Sequence, residues 1–204
     1  MKVLLIGATG TIGQKVHERL AKRHDVVTAA HRGGDHQVDI ADKASIQKLF
    51  TQVGEVDAVI STAGSAAFAP LSELSDEQFS LAWNNKLMGQ INLLRVGRPH
   101  IRGGGVVLLT SGMLASEPMP GSASVSAANG AINAFVRAAA LELGDSLRIN
   151  AISPIFVKET MEMMGMDSAS GMSASDTAKA YQVVMEGSAT GEVIDVRDVG
   201  KSPA

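Results

Sequence analysis

Short apolar runs alternate with longer helical patterns along nearly the whole chain, and this alternation limits the fold more than any other feature. Uninterrupted apolar runs such as residues 3–6 and 106–109 are typical of strands that are buried on both faces. Strands that alternate with helices predict a parallel sheet whose right-handed crossovers place helices on both faces. We therefore expect a single-domain, doubly wound α/β fold over residues 1–204, with a mainly parallel sheet of seven strands.

The predicted strands cover residues 3–6, 26–30, 37–40, 58–61, 106–110, 148–152 and 192–196. The predicted helices cover residues 12–23, 45–53, 75–96, 122–143 and 175–185. Ser75 and Gln78 have the residue types and spacing of a capping box, which predicts where the long third helix begins.

Methionine is concentrated near the C-terminal end, where five of the ten methionines lie between residues 161 and 172. Methionine packs adaptably, so we interpret about 155–175 as a mobile, methionine-rich loop on the substrate side of the fold. A surface loop with a small apolar underside is the alternative interpretation.

Charge and composition exclude several functional classes. The net charge of −3 and an aromatic content of 3% argue against a nucleic-acid partner. The absence of cysteine excludes disulfides, thiolate nucleophiles and zinc–cysteine sites, and we expect no metal site. The N-terminal apolar run is too short for a signal or a membrane span, so we expect a cytoplasmic protein with no membrane partner.

Three glycines separate the first predicted strand from the first predicted helix, with the spacing G-x-x-G-x-x-G over residues 7–13. Glycine lets the backbone turn tightly and approach a pyrophosphate, while the helix N-terminus offers free N–H groups. This stretch predicts a dinucleotide site, although glycines that serve only helix–strand packing are the alternative. The candidate cofactor residues here are Gly7, Thr9, Gly10, Thr11, Ile12 and Gly13.

The residues after the second predicted strand favour NADP over NAD. An acid at this point would bind the ribose 2′-hydroxyl of NAD, but the chain has His31 and Arg32 there. Arg32 would bind the 2′-phosphate through charge-assisted hydrogen bonds, with His31 and Thr9 assisting, unless it is only a solvated turn residue. Asp39 and Ile40 would lie beside the adenine, and Asp39 could alternatively cap the next helix.

Further motifs resemble those of the short-chain dehydrogenase/reductase family, which the glycine motif and Asp39 also match. Residues 61–64 resemble its N-N-A-G turn, residues 110–112 its serine turn, and residues 150–154 its N-x-[IV]-x-P-G stretch, with Ile155 replacing the glycine. The resemblance covers nearly the whole chain, which is some tens of residues shorter than a typical member. It implies a Rossmann-type fold, and it implies three more cofactor-binding residues, Ala63, Gly64 and Pro154.

The family's catalytic Tyr-x-x-x-Lys motif is absent where the resemblance places it. That alignment puts Val125 at the tyrosine and Asn129 at the lysine, and residues 101–147 contain neither Tyr nor Lys. In the preceding long helix, Lys86 stands where the family has an asparagine, so lysine and asparagine have exchanged places. Lys86 would then be an acid or would orient a water, unless it snorkels or pairs with a carboxylate.

The resemblance therefore implies a catalytic set of Ser111, Lys86 and Asn129. Ser111 would donate a hydrogen bond to the substrate oxygen, although it could be an ordinary turn serine. Asn129 would bind the nicotinamide ribose or a water through its amide.

Two functions remain open at this point. The first is an NADP-dependent oxidoreductase that acts on a small carbonyl or alcohol substrate with an atypical proton donor. The second is a catalytically weak or inactive NADP-binding regulatory or sensor protein on the same fold. Alanines recur along one side of the helix over 122–143, where a second helix could approach closely. Members of the family commonly associate through this helix and the one before it, so the resemblance implies a homodimer or homotetramer, unless the alanines pack only on the chain's own sheet. These alanines are Ala127, Ala131, Ala134 and Ala138.

Overall fold

The computed structural model describes residues 1–200 and contains one sheet of seven parallel strands. Residues 201–204 of the predicted domain lie outside the described residues. The strands are β1 (Lys2–Ile6), β2 (Asp25–Ala30), β3 (His36–Gln37), β4 (Val56–Ser61), β5 (Ile101–Thr110), β6 (Leu147–Ser153) and β7 (Val193–Asp195). The helices are α1 (Thr11–Leu20), α2 (Lys43–Val53), α3 (Asp76–Leu81), α4 (Met88–Gly97), α5 (Ala123–Leu143), α6 (Lys158–Met163) and α7 (Ala174–Glu186).

The strand order β3-β2-β1-β4-β5-β6-β7 confirms the predicted doubly wound, Rossmann-type fold. The chain builds outward from β1 in one direction to β3, and then in the other direction from β4 to β7. Ligands bind outside the carboxyl ends of the strands at such a switch point. The β1–β4 junction is therefore where the fold itself positions a site.

Helices cover both faces of the sheet because successive residues of each buried strand face opposite sides. Leu4 and Ile6 of β1 pack in the core beneath α2, α4 and α5. Val3 and Leu5 pack in the second core, beneath α1 and α7. Within residues 1–200, every helix is too short or too polar to cross a lipid bilayer.

The third strand is shorter than predicted, because its last apolar residues leave the sheet. Val38 still donates a hydrogen bond to the Ala30 carbonyl, but the strand pairing ends at Gln37. Ile40 turns inward against α4, where an added Cβ on Gly89 would lie 2.9 Å from the Ile40 side chain. The apolar residues at 38 and 40 are buried as their pattern predicts, but the predicted end of the third strand is wrong.

The predicted helix over 75–96 is interrupted by a π-helical segment, Ala82–Leu87, between α3 and α4. Its predicted start is confirmed, since Ser75 Oγ accepts from the Gln78 N–H while Gln78 Oε1 accepts from the Ser75 N–H. The π-helical segment shifts the register of the following turns, and such segments occur frequently at functional sites.

Part of the methionine-rich loop is helical, because residues Lys158–Met163 form α6. Met161 is buried on this helix, whereas Met163 and Met164 are exposed. Val157 and Met172 pair in an isolated bridge that closes the base of the segment. One buried methionine thus anchors this segment, while the next two methionines along the chain face outward.

Candidate active site

The glycine turn over residues 7–13 leaves the start of α1 open to a ligand. Gly7 has a φ of +85°, and a Cβ on Gly13 would lie only 2.0 Å from the Gly7 carbonyl oxygen. Gly10 precedes α1 without a side-chain cap, and the first turn carries no acid. The first N–H groups of the helix, at Thr11 and Ile12, therefore have no side-chain acceptor within residues 1–200. They fit a phosphate group at the positive end of the helix dipole.

A cleft of about 830 Å³ runs along the carboxyl ends of β1, β2 and β4, within the size range of ligand sites. It is lined by six of the predicted cofactor residues, namely Gly7, His31, Asp39, Ile40, Ala63 and Gly64. Its other wall was not predicted from the sequence and comes from α3 and the π-helical segment, through Asp76, Glu77, Ser80, Leu81, Asn84 and Asn85.

Asp39 lies in the turn before α2 and does not cap that helix. Its carboxylate accepts a hydrogen bond from the Ala41 N–H at 2.9 Å. The cap of α2 is Asp42, whose carboxylate accepts from the Ala44 N–H at 2.8 Å. The alternative role of Asp39 as a helix cap is therefore wrong.

His31 and Arg32 follow β2 and are both exposed. Over the described range 1–200, Arg32 has no hydrogen bond or ion pair with another residue. The loop that carries it touches the glycine turn, since a Cβ on Gly33 would lie 3.3 Å from Thr9 Cγ2. An unpaired guanidinium thus lies on a loop that borders the start of α1.

The acid nearest to Arg32 along this loop is Asp35, and its carboxylate already accepts two hydrogen bonds. Its carboxylate accepts from the Thr28 N–H at 2.9 Å and from Thr28 Oγ1 at 2.7 Å. These two hydrogen bonds hold the pKa of Asp35 below its usual value. Asp35 is therefore tied to the middle of β2, and within residues 1–200 it forms no ion pair with Arg32.

The three predicted catalytic residues come from three elements and meet at the carboxyl end of β5. Ser111 follows β5 directly, Lys86 lies in the π-helical segment, and Asn129 lies in the second turn of α5. Lys86 Nζ donates to the Ser111 carbonyl at 3.3 Å, and Ser111 Oγ donates to the Asn129 carbonyl at 3.4 Å. Asn129 Nδ2 donates in turn to the Gly112 carbonyl at 3.4 Å.

The Lys86 ammonium is buried and has no carboxylate partner among residues 1–200, although part of the residue reaches the surface. Loss of hydration lowers the pKa of Lys86 from 10.5 to about 8. Gly64 makes room for this side chain, since a Cβ there would lie 2.9 Å from Lys86 Cγ. Within residues 1–200 the ammonium forms no ion pair, which rules out pairing with a carboxylate of that range.

Asn129 Oδ1 is buried and accepts no hydrogen bond from any part of the chain that the structure describes. A buried acceptor without a donor costs about 1–3 kcal/mol, so a donor supplied by a ligand or a water would stabilise this position. A ribose hydroxyl would satisfy it. Val125, one turn earlier on α5, is buried and has no side-chain group that can transfer a proton.

Pro154 follows β6 and lies beside the Ser111 turn, apart from the lining of the cleft. Its carbonyl accepts a hydrogen bond from the Met113 N–H at 2.9 Å.

Tyr181, the one tyrosine of the chain, lies on the opposite face of the sheet. Thr110 Oγ1 donates to the Ser61 carbonyl at 2.6 Å and lies 2.7 Å from the Tyr181 hydroxyl, from which it therefore accepts. Because successive residues of a strand face opposite sides, Thr110 faces α7 while Ser111 faces α5. Burial raises the pKa of Tyr181, which makes it a structural residue and not a proton donor at the site.

Two further polar residues near the site were not predicted from the sequence. Asn85 Oδ1 accepts from the Ser65 N–H at 2.8 Å, which ties the π-helical segment to the loop after β4. Gln90 on α4 is fully buried. The available signal was a polar residue on an otherwise apolar helix face, three residues after Leu87 and four before Leu94.

Comparisons with known proteins find similarity to reductases and dehydrogenases. A family model described as enoyl-(acyl carrier protein) reductase matches residues 2–202. The chain is 32% identical to versicolorin reductase 1 of Aspergillus parasiticus over 168 residues, which are 76% of this chain and 64% of that protein. The chain spans only 50% to 64% of the length of the first curated relatives it matches.

Two solved structures are similar to this chain over nearly their whole length. The protein lin1944 from Listeria innocua shares 40% sequence identity at a TM-score of 0.92, covering 96% of this chain and 99% of that one. A small-chain dehydrogenase in complex with NADPH shares 28% identity at a TM-score of 0.84, covering 96% of this chain and 95% of that one.

Proposed function

This chain belongs to the short-chain dehydrogenase/reductase family, and on that premise we propose that it is an NADP-dependent oxidoreductase of small carbonyl or alcohol substrates. One observation carries the proposal. At the carboxyl edge of the sheet, a serine meets an ammonium and a buried amide oxygen, and residues 1–200 offer neither a counter-ion to the ammonium nor a donor to the oxygen. Titratable groups with perturbed pKa values at such an edge are typical of functional sites.

The cleft and the glycine turn would hold NADP(H). The pyrophosphate would lie against the start of α1, and the adenine against Asp39 and Ile40. Arg32 and His31 would bind the 2′-phosphate, which Arg32 is free to do because no carboxylate in residues 1–200 pairs with it. The NADPH complex of the similar small-chain dehydrogenase supports this choice of cofactor. Bound NADPH would supply the hydride.

The catalytic residues have distinct roles in this proposal. Ser111 Oγ donates a hydrogen bond to the substrate oxygen in exchange for its long bond of 3.4 Å to the Asn129 carbonyl. The Lys86 ammonium, with a pKa of about 8, gives a proton to that oxygen directly or through a water, and regains it from solvent. Asn129 Oδ1 accepts a hydrogen bond from the ribose or from the water.

The proposed assembly is a homodimer or homotetramer formed through α5. Ala127, Ala134 and Ala138 are exposed along this helix and do not pack on the chain's own sheet. Ala131 is half-buried and packs against the core. Small exposed side chains allow a second helix to approach closely.

The test of the proposed activity is loss of NADPH absorbance with a panel of aldehydes and ketones. Ser111→Ala should lower kcat by about a hundredfold, as expected for loss of one hydrogen-bond donor to the reacting oxygen, while the Kd for NADPH stays unchanged. Ser116→Ala, at an exposed serine in the same loop, is the matched control. Tight NADPH binding without turnover of any carbonyl would instead favour a binding or sensor protein.

A further inference from the structure

Gln90 is a fully buried residue of α4 whose side chain joins the segments that carry Lys86 and Ser111. Its Nε2 donates to the Thr110 carbonyl at 2.8 Å and to the Lys86 carbonyl at 3.2 Å. Its Oε1 accepts from the Thr110 N–H at 2.7 Å. The whole amide is thus bonded to backbone next to the two predicted catalytic residues.

These hydrogen bonds take the place of strand pairing at the end of β5. The pairing of β4 with β5 ends at Ile60 and Leu108, and beyond it the Ser61 carbonyl of β4 accepts from the Thr110 hydroxyl and not from its N–H. Within residues 1–200, the backbone N–H and C=O of Thr110 therefore have no backbone partner on β4, although buried N–H and C=O groups require partners. On its other side, β5 remains held, since the Ser111 N–H donates to the Ile152 carbonyl of β6 at 2.8 Å.

We propose that Gln90 is a positioning residue, which sets the distance between Lys86 and Ser111 by clamping the backbone on either side of their contact. The contacts form a closed ring. The Gln90 amide is hydrogen-bonded to the backbone of Lys86 and of Thr110. Thr110 is joined to Ser111 by the peptide bond, and Lys86 Nζ closes the ring by donating to the Ser111 carbonyl at 3.3 Å. The inference rests on the proposed function, in which these two residues act on the same substrate oxygen.

The matched pair of variants is Gln90→Met and Asn150→Leu. Gln90→Met keeps the length of the side chain and removes all three hydrogen bonds. Asn150 on β6 is also fully buried and is bonded at both ends of its amide to backbone, to the Ala189 carbonyl at 2.7 Å and the Glu192 N–H at 3.0 Å. Asn150→Leu therefore causes the same kind of damage away from the site.

In turnover assays, Gln90→Met should lower kcat by about 10- to 100-fold with little change in KM, because misplacement of reacting groups by about 1 Å costs rates of this order. Asn150→Leu should change kcat by less than about twofold once both proteins are folded at the assay temperature. If Gln90→Met does not fold, Gln90→Leu removes the same three hydrogen bonds with a shorter apolar side chain and should show the same fall in kcat.

A second measurement needs no turnover. In protein labelled with 13C-lysine, the Cε shift of Lys86 followed against pH reports its titration, which should lie near pH 8 in the parent. In Gln90→Met the midpoint should move upward toward 10.5, because a loosened ammonium reaches water. Asn150→Leu should leave it unchanged.

The two measurements separate this inference from the proposed function. If the parent turns over substrate and Gln90→Met matches Asn150→Leu in both kcat and the Lys86 midpoint, Gln90 does not position the site. If the parent turns over no carbonyl but the midpoint moves only in Gln90→Met, the positioning of Lys86 by Gln90 stands and the proposed reaction falls.

Discussion

Replacing Lys86 with methionine should stabilise the fold at neutral pH while it lowers turnover. A pKa lowered from 10.5 to about 8 means that the charge on Lys86 destabilises the native state by about 3 kcal/mol at pH 7. Lys86→Met keeps much of the apolar stem but loses the hydrogen bond to the Ser111 carbonyl, worth about 1 kcal/mol. The expected net gain is about 2 kcal/mol, or about 4–8 °C in Tm for a chain of this size.

The gain should depend on pH, and the lowered pKa determines the direction. Above pH 10.5 Lys86 is neutral in both the folded and unfolded states, so the destabilisation is absent. It grows as the pH falls and is complete once the pH is below about 8, where the folded protein also carries the ammonium. The stability difference between Lys86→Met and the parent should therefore shrink as the pH rises from 7 toward 10.

Urea unfolding of both proteins across this pH range measures the difference directly. Lys48→Met, at an exposed lysine of α2, is the control and should change the free energy of unfolding by less than about 0.5 kcal/mol. The reasoning would be refuted by a Lys86→Met variant that is no more stable than the parent at pH 7. A gain of equal size at pH 7 and pH 9.5 would also refute it, because the gain would then not come from removing a buried charge.

The remaining predictions concern the cofactor and the assembly. Arg32→Ala should weaken NADPH binding by about 1.5–3 kcal/mol, the range for hydrogen bonds to charged groups, and should leave NADH binding nearly unchanged in calorimetry. Equal losses for both cofactors would show that Arg32 does not bind the 2′-phosphate. Light scattering should give the mass of a dimer or tetramer, and the mass of one chain at micromolar concentration would contradict association through α5.

The fold could be predicted from the sequence where local pattern and burial agree. Val3 and Leu4 are both fully buried, in different cores, so the run they belong to indicated a central strand without ambiguity. The capping box at Ser75 depends only on neighbours in sequence, and it was predicted correctly. Ile40 shows the limit, because burial against α4 produces the same apolar signal as burial within a strand.

The site depends on contacts that sequence spacing does not encode. The close approach of Gly13 to the Gly7 carbonyl is local to residues 7–13, whereas the tight space around Gly7 is set by Thr62 and Ala63 after β4. The burial of Lys86 depends on the π-helical segment and on the space left by Gly64, and neither has a sequence signature. Gln90 was missed because its partner Thr110 lies one step beyond the end of the β4–β5 pairing, and the sequence does not show where that pairing ends. The helix α6 was missed because the glycines and serines that follow it, over residues 165–171, favoured a loop for the whole segment.

The buried ammonium distinguishes between the two functions that the sequence left open. A cofactor-binding sensor needs the cleft, the glycine turn and Arg32, but it does not need the Lys86 charge beside Ser111. That charge destabilises the fold by about 3 kcal/mol, which is a large part of the 5–15 kcal/mol typical of a domain. An apolar side chain would fill the space beside Gly64 more stably. An enzyme needs a proton donor whose pKa lies near the working pH, which burial provides at Lys86. A charge without a counter-ion in residues 1–200 therefore favours catalysis over binding alone. A Lys86→Met protein that is more stable and slower than the parent would support this reasoning.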